Sequence, residues 1–273
     1  LENVRILQDI IVKAGYRVRI TTFLEIQPEF CTSLKYVELE TATKNSVKIF
    51  CFKRILNDFE AGYDHFDLII LNNDLTAGIP EVLKDSKVPI YPSIQAGWHS
   101  RHKSHHFRYV NELFQEFGKI VNLDPWLFSC LFEVEDNINI NNDEDRKRLM
   151  VKAEQVMKRV EAKYQEHQIK EKPYLVIKSD SGTYGMGVLA IENPEDILTL
   201  NRRNRNNLYK GKNAQIIDRF LIQEGVPTIH TVDELVSEVC IYQIENNLVG
   251  GFYRMNSEKS SRENLNSQGM SFK

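Results

Sequence analysis

Tyr174-Leu175-Val176-Ile177-Lys178-Ser179-Asp180-Ser181-Gly182-Thr183-Tyr184-Gly185-Met186-Gly187-Val188 is the stretch whose reading decides the fold. An apolar, β-branched run closes on a lysine, three glycines follow, and a second apolar run covers residues 188–191. Strand, glycine-rich loop, strand is the simplest reading. Glycine permits positive φ and lets backbone N–H groups approach a ligand closely. Such a loop can wrap an anion with its amides, while a lysine at the strand end supplies a point charge. The pattern suits a nucleoside triphosphate but is not a Walker loop, which places its lysine after the glycines and opens a helix. A β-hairpin with a long glycine turn and a surface lysine is the alternative these residues leave open.

Composition sets the frame. The chain has 273 residues, enough for two domains or one large one, with 42% hydrophobic and 27% charged residues. A net charge of -3 gives no basic field for nucleic acid. No apolar run approaches the roughly 18 residues that span a bilayer. Cys31, Cys51, Cys130 and Cys240 form no C-x-x-C pair and sit in or near apolar runs, so reduced, buried thiols in a cytoplasmic protein are expected. The chain starts at Leu1 and stops at Lys273 after a loop, and reads as a fragment of a longer protein.

Upstream of the glycine stretch, residues 4–14 carry helical spacing and residues 16–23 and 35–39 read as strands. Residues 47–56 are ambiguous. Asp67-Leu68-Ile69-Ile70-Leu71 reads as a strand buried on both faces, ending in polar Asn72-Asn73-Asp74. Gln95-Ala96-Gly97-Trp98-His99-Ser100-Arg101-His102-Lys103-Ser104-His105-His106 gathers four histidines, an arginine and a lysine. Three readings compete there: a zinc pair at His102 and His106, a solvated basic helix start, and a pocket for carboxylates or phosphates. Residues 109–120 and 146–168 read as amphipathic helices, and Asp124-Pro125 as a helix start. Downstream, residues 220–227 read as a strand entering a turn, and 237–244 with 248–255 as a hairpin.

The order of these pieces, strand-lysine, glycine loop, strand, helix, strand-hinge and a hairpin ending in arginine, resembles the ATP-grasp ligases over residues 172–273. A narrower likeness rests on Ala96-Gly97-Trp98-His99, Arg101, Lys103-Ser104 and His106-Phe107, on Lys178-Ser179-Asp180 with the glycines, on Gln223-Glu224-Gly225-Val226, on Val249-Gly250-Gly251-Phe252-Tyr253-Arg254, and on Asn264-Leu265-Asn266. Together these resemble the proteobacterial type of glutamate–cysteine ligase (γ-glutamylcysteine synthetase) with an ATP-grasp-like C-terminal half.

The resemblance implies an α/β fold, α+β in its C-terminal half. With the helix and strand pattern upstream, the expected division is a small N-terminal α/β substrate-side domain (1–125), a helical connection (126–170) and an ATP-grasp-like nucleotide domain (171–273). The resemblance also implies a cytoplasmic, magnesium-dependent enzyme of glutathione biosynthesis. Glutamate's γ-carboxylate attacks ATP to form an acylphosphate, and cysteine's amine displaces phosphate. Lys178, Ser181, Gly182, Gly185 and Gly187 would hold the phosphates, and Gln223, Glu224 and Val226 the adenine. Arg254 would act with Lys178 in catalysis, or be a surface strand arginine. His99, Arg101 and Lys103 would bind substrate carboxylates, Glu238 an amine or a metal-bound water, and Asn264 and Asn266 substrate. No magnesium ligands can be named, because the acidic residues that usually close an ATP-grasp site are not visible. The partners are small molecules, with neither nucleic acid nor membrane. Two alternatives stand: another ATP-grasp ligase, of the glutathione synthetase or D-alanine ligase type, and a non-catalytic protein binding a metal or anion through its histidine-rich segment.

Overall fold

The computed structural model describes residues 1–24, 26, 29–181, 187–209, 216–244 and 246–273. They group into two units, Leu1–Asn73 with Pro80–Ile94, and Asp74–Ile79 with Gln95–Lys273.

In the first unit α1 (Glu2–Lys13) ends ahead of Gly15, whose φ of 94° suits a residue without Cβ. β1 (Ile20–Thr22), β2 (Val37–Glu40) and β3 (Ser46–Cys51) form a sheet in the order β1-β3-β2, with β1 parallel and β2 antiparallel to β3. The ambiguous residues 47–56 resolve into two elements. Val47, Ile49 and Cys51 alternate inward along β3, and α2 (Phe52–Glu60) then buries Phe52, Ile55 and Leu56. Phe30, Val37, Val47, Ile49 and Cys51 make the core.

Two expectations are corrected in this unit. Cys31 and Cys51 are joined in a disulfide, whereas Cys130 and Cys240 are free thiols. The cause is shared packing: Cys51 belongs to the core cluster against which Cys31 lies. The second correction concerns residues 67–71. Of these, β4 (Ile69–Ile70) is a two-residue strand. After α3 (Glu81–Lys84), β5 (Ile90–Tyr91) pairs parallel to it. Leu68 and Ile70 are each 48% exposed, so this is not a strand covered on both faces.

In the second unit α4 (Lys103–Val121) is followed by β6 (Phe132–Glu135), α5 (Asp143–Glu166), β7 (Leu175–Ser179), β8 (Val188–Ile191), α6 (Arg202–Tyr209) and β9 (Phe220–Glu224). The four strands form a sheet in the order β6-β9-β7-β8, with every neighbouring pair antiparallel. β10 (Thr231–Val232), β11 (Leu235–Ile244), β12 (Asn247–Asn256) and β13 (Met270–Phe272) make a second antiparallel sheet, built around the expected hairpin. The chain is a mixed α/β protein, with antiparallel α+β character in its C-terminal half.

α5 forms where its sequence asks for it. The Asn142 side chain accepts from the amides of Glu144 and Asp145, three acidic residues fill the first turn, and Lys163 lies in the last. Leu149, Ala153, Val156, Met157 and Val160 fall on one face and pack with Leu175, Ile177, Phe220 and Ile222. The period of two on β7 therefore assigns Val176 and Lys178 to the opposite face of the sheet from Leu175 and Ile177. α4 begins six residues earlier than residue 109, so Lys103, His105 and His106 fall in its first turn, His102 is its N-cap, and His99 and Arg101 precede it. It ends at Asn122, which takes the left-handed conformation.

Gly225 fixes the turn after β9. Its amide donates to Tyr174 O at 2.8 Å, and a Cβ there would meet the buried Tyr174 ring at 2.3 Å. Gly225→Ala is expected to cost about 1–3 kcal/mol through overpacking. Urea denaturation of both forms checks this, and equal midpoints would contradict it.

Candidate functional site

The site is built from an electrostatic problem at the start of α4. His102, the N-cap residue, offers no side-chain cap, no acidic residue lies in the first turn, and Lys103 adds charge to the positive end of the helix dipole. The answer comes from the end of β7. Asp180 is 0% exposed and accepts from the Ser104 amide (2.7 Å), the Ser104 hydroxyl (2.7 Å) and Arg219 Nε (2.7 Å). His102 Nδ1 lies 3.3 Å from the same carboxylate. Burial raises the carboxyl pKa, but the bonds from Ser104 and Arg219 outweigh it and hold the group below its ordinary value. Arg219 is fixed in turn by Asp136 at 2.6 Å.

Lys178 projects beside this anchor. Its ammonium donates to Gln223 Oε1 and stands 5.0 Å from the Phe107 ring centroid. Phe107 also packs 5.7 Å from Phe132, the β6 partner of Gln223. Burial lowers the Lys178 pKa, with Cys130 and Asp180 pulling the other way. Lys103 Nζ donates to Ser179 O (2.8 Å) and Ser181 O (2.9 Å), and its amide donates to Asp180 O (2.8 Å). Burial first, and the neighbouring Lys178 second, push the Lys103 ammonium down to about 8. Among the described residues Lys103, Lys178 and Arg219 gather near the Asp180 carboxylate, an arrangement that suits an anionic ligand.

The other sequence-derived residues fall into separate groups. Glu224 is 3% exposed and accepts from Trp126 Nε1 (2.9 Å) and the Leu131 amide (3.1 Å). Burial raises its pKa against those bonds. Its side chain is committed to the protein, while Val226 beyond it is 65% exposed. Arg101 stacks 4.7 Å over Trp98. The buried Nδ1 of His99 has no hydrogen-bond partner among the described residues. His102 faces His105, and His106 faces Phe107. Arg254 and Glu238 are cross-strand partners on β12 and β11, paired at 2.8 Å, and Arg254 Nε is buried with no hydrogen-bond partner among the described residues. Asn264 Oδ1 accepts from the Asn266 amide at 3.1 Å, in a loop that buried Asn256 gathers through Leu265 O and Gln268 O. Among the described residues no hydrogen bond or ion pair ties these last two groups to Lys178. Ser181 and Gly187 are described, the latter at φ 65°, whereas Gly182 and Gly185 lie outside the described residues.

Sequence reasoning gave no role to Asp180, Ser104, Arg219 or Phe107. A carboxylate two residues past a strand-end lysine was the available signal for Asp180. The partners could not be found that way, because each is distant in the chain. Among the described residues the cluster with metal-ligand geometry is Asp124, Glu166 and His167, where Lys163 already holds Asp124 at 2.7 Å. That cluster is no vacant cation site.

Two lysines converge at the end of β7 in a mixed α/β chain, an arrangement whose chemistry suits an anionic ligand. The sequence model of the glutamate–cysteine ligase family matches residues 1–273, and the chain belongs to that family. A crystal structure of a protein from Methylobacillus flagellatus KT, provisionally named gamma-glutamylcysteine synthetase, is similar at 32% identity and a TM-score of 0.79. The match covers 98% of this chain and 62% of that one, so the chain spans less than two thirds of that protein's length. No curated protein gave a match.

Asp180→Asn is expected to cost about 3 kcal/mol, because it leaves Arg219 and the α4 terminus facing a neutral group. The depressed carboxyl stabilises the fold above its unfolded pKa of about 4 and loses that contribution as pH falls through the folded value. Urea titrations should therefore show the gap between parent and variant full at pH 7 and closing in acid. A gap independent of pH would contradict this.

Proposed function

We propose that the protein containing this chain joins L-glutamate, through its γ-carboxylate, to L-cysteine, converting ATP to ADP and phosphate. The observation that carries the reading is the half-buried Lys178 ammonium at the end of β7, set against Phe107 and Gln223. Family membership supports it and narrows it to this ligation.

In this reading residues 171–273 are the ATP-grasp-like nucleotide part. Phe107 and the Gln223–Val226 segment flank the base, the Glu224 carboxylate bracing that segment rather than reaching the ligand. Lys178 neutralises the phosphates. Charge develops on the transferred phosphoryl group as the γ-carboxylate of glutamate attacks, and a positioned ammonium and guanidinium stabilise it without reorganising. Arg254, held by Glu238 through one nitrogen and with Nε unpartnered, is the guanidinium assigned to that role. The resulting acylphosphate is then attacked by the cysteine amine, and phosphate leaves. His99 and Arg101 are assigned to substrate carboxylates, and Asn264 and Asn266 to the substrate loop. Magnesium belongs to the reading through ATP, and no ligands for it are assigned among the described residues. A cytoplasmic location is part of the proposal, and the Cys31–Cys51 bridge is an observation against it.

Phosphate release from ATP by the full-length protein tests the reading. Release should need glutamate and cysteine together, and Lys178→Ala should reduce it by about 100-fold or more. Release driven by another amino-acid pair would point to a different ligase. Unchanged turnover in Lys178→Ala would remove Lys178 from the site.

A further inference from the structure

We infer that Lys103 is a positioning residue for the nucleotide phosphates and not a ligand of a substrate carboxylate, acting by holding the bend through which the chain leaves β7. The inference rests on the ATP reading above. Three consecutive carbonyls converge on this one residue: Ser179 O and Ser181 O on its ammonium, and Asp180 O on its amide. Successive carbonyls of an extended strand point to opposite sides, so one residue can collect three in a row only if the chain bends there. Residues 180–181 are a bend.

The bend is gripped from other directions too. The Asp180 amide donates to Arg219 O at 3.1 Å, and the Ser179 amide to Gly187 O at 3.3 Å. The Asp180 carboxylate, two residues past Lys178, holds the turn that carries Lys103. Lys103 thus fastens the peptide groups that aim Lys178 and lead into the glycine-rich sequence. An ammonium has three donors, and two are committed to carbonyls. At most one is left for a ligand, too few for the forked grip a carboxylate-binding residue would give.

The test is calorimetric titration of the full-length protein with magnesium-ATP, combined with steady-state KM values for glutamate and cysteine. Lys103→Met should weaken ATP binding about tenfold, the equivalent of one charge-assisted hydrogen bond. It should leave both amino-acid KM values within about twofold. Lys103→Arg should recover most of the ATP affinity, since a guanidinium can also span two carbonyls. A raised glutamate or cysteine KM with unaltered ATP affinity would overturn the inference and restore Lys103 as a carboxylate ligand. An ATP affinity that does not move at all in Lys103→Met would also overturn it. Should Lys103→Met not fold, Lys103→Gln, which keeps a donor but no charge, is titrated instead with the same expectation. If the parent itself fails to bind ATP, the functional reading falls and takes this inference with it. A parent that binds beside a variant that binds equally well removes the inference alone.

Discussion

One carboxylate with no solvent exposure carries the second unit's site. Asp180 caps a helix from outside that helix, binds a guanidinium, and sits two residues from a half-buried lysine. A charge buried this deeply persists only if hydrogen bonds replace its lost water, and Ser104 and Arg219 supply them. The cost of burial is offset, and the exchange ties together segments far apart in sequence. Lys103 and Lys178 are brought to the same strand end as a consequence. Both are disfavoured as cations by burial, and the carboxylate only partly relieves them.

A second relay, anchored at Asp124, supports the turn after β9. Asp124 caps the turn at Pro125–Phe128 and accepts from Lys163 and His167, the Lys163 bond being foremost in depressing its pKa. Trp126, in that turn, donates to Glu224. Glu224 and the clash-limited Gly225 then set where β9 ends. The site is thus braced at both strand ends, β7 through α4 and β9 through α5. Lys178 and Arg254, the cations assigned to the phosphates, are carried on β7 and β12.

Much of this was legible in the sequence because it depends on local rules. The apolar run closing on Lys178 is a strand, Asp124-Pro125 opens a turn, and the runs at 237–244 and 248–255 pair as a hairpin. What was hidden depends on distant partners. A histidine and lysine run at the head of a helix looks like a solvated face until Asp180 is found above it. Lys103 reads from the sequence as a carboxylate ligand, and its bonds to the Ser179 and Ser181 carbonyls carry no sequence signal. Leu68 and Ile70 matched the pattern of a buried strand, yet nothing in composition says how many neighbours a strand acquires. Cys31 and Cys51 meet because both pack on the core of the first unit, which their spacing could not reveal.

The central proposal is that the lysines at this strand end lie beside the phosphates of a bound nucleotide. It is tested most directly by titrating ATP into the full-length protein at pH 8, in two buffers of different ionisation enthalpy. Lys103, held down to about 8 by burial and by Lys178, should regain protons when phosphates draw near. Net proton uptake on binding is the expected result. Binding with no proton exchange, or with release, would contradict the account.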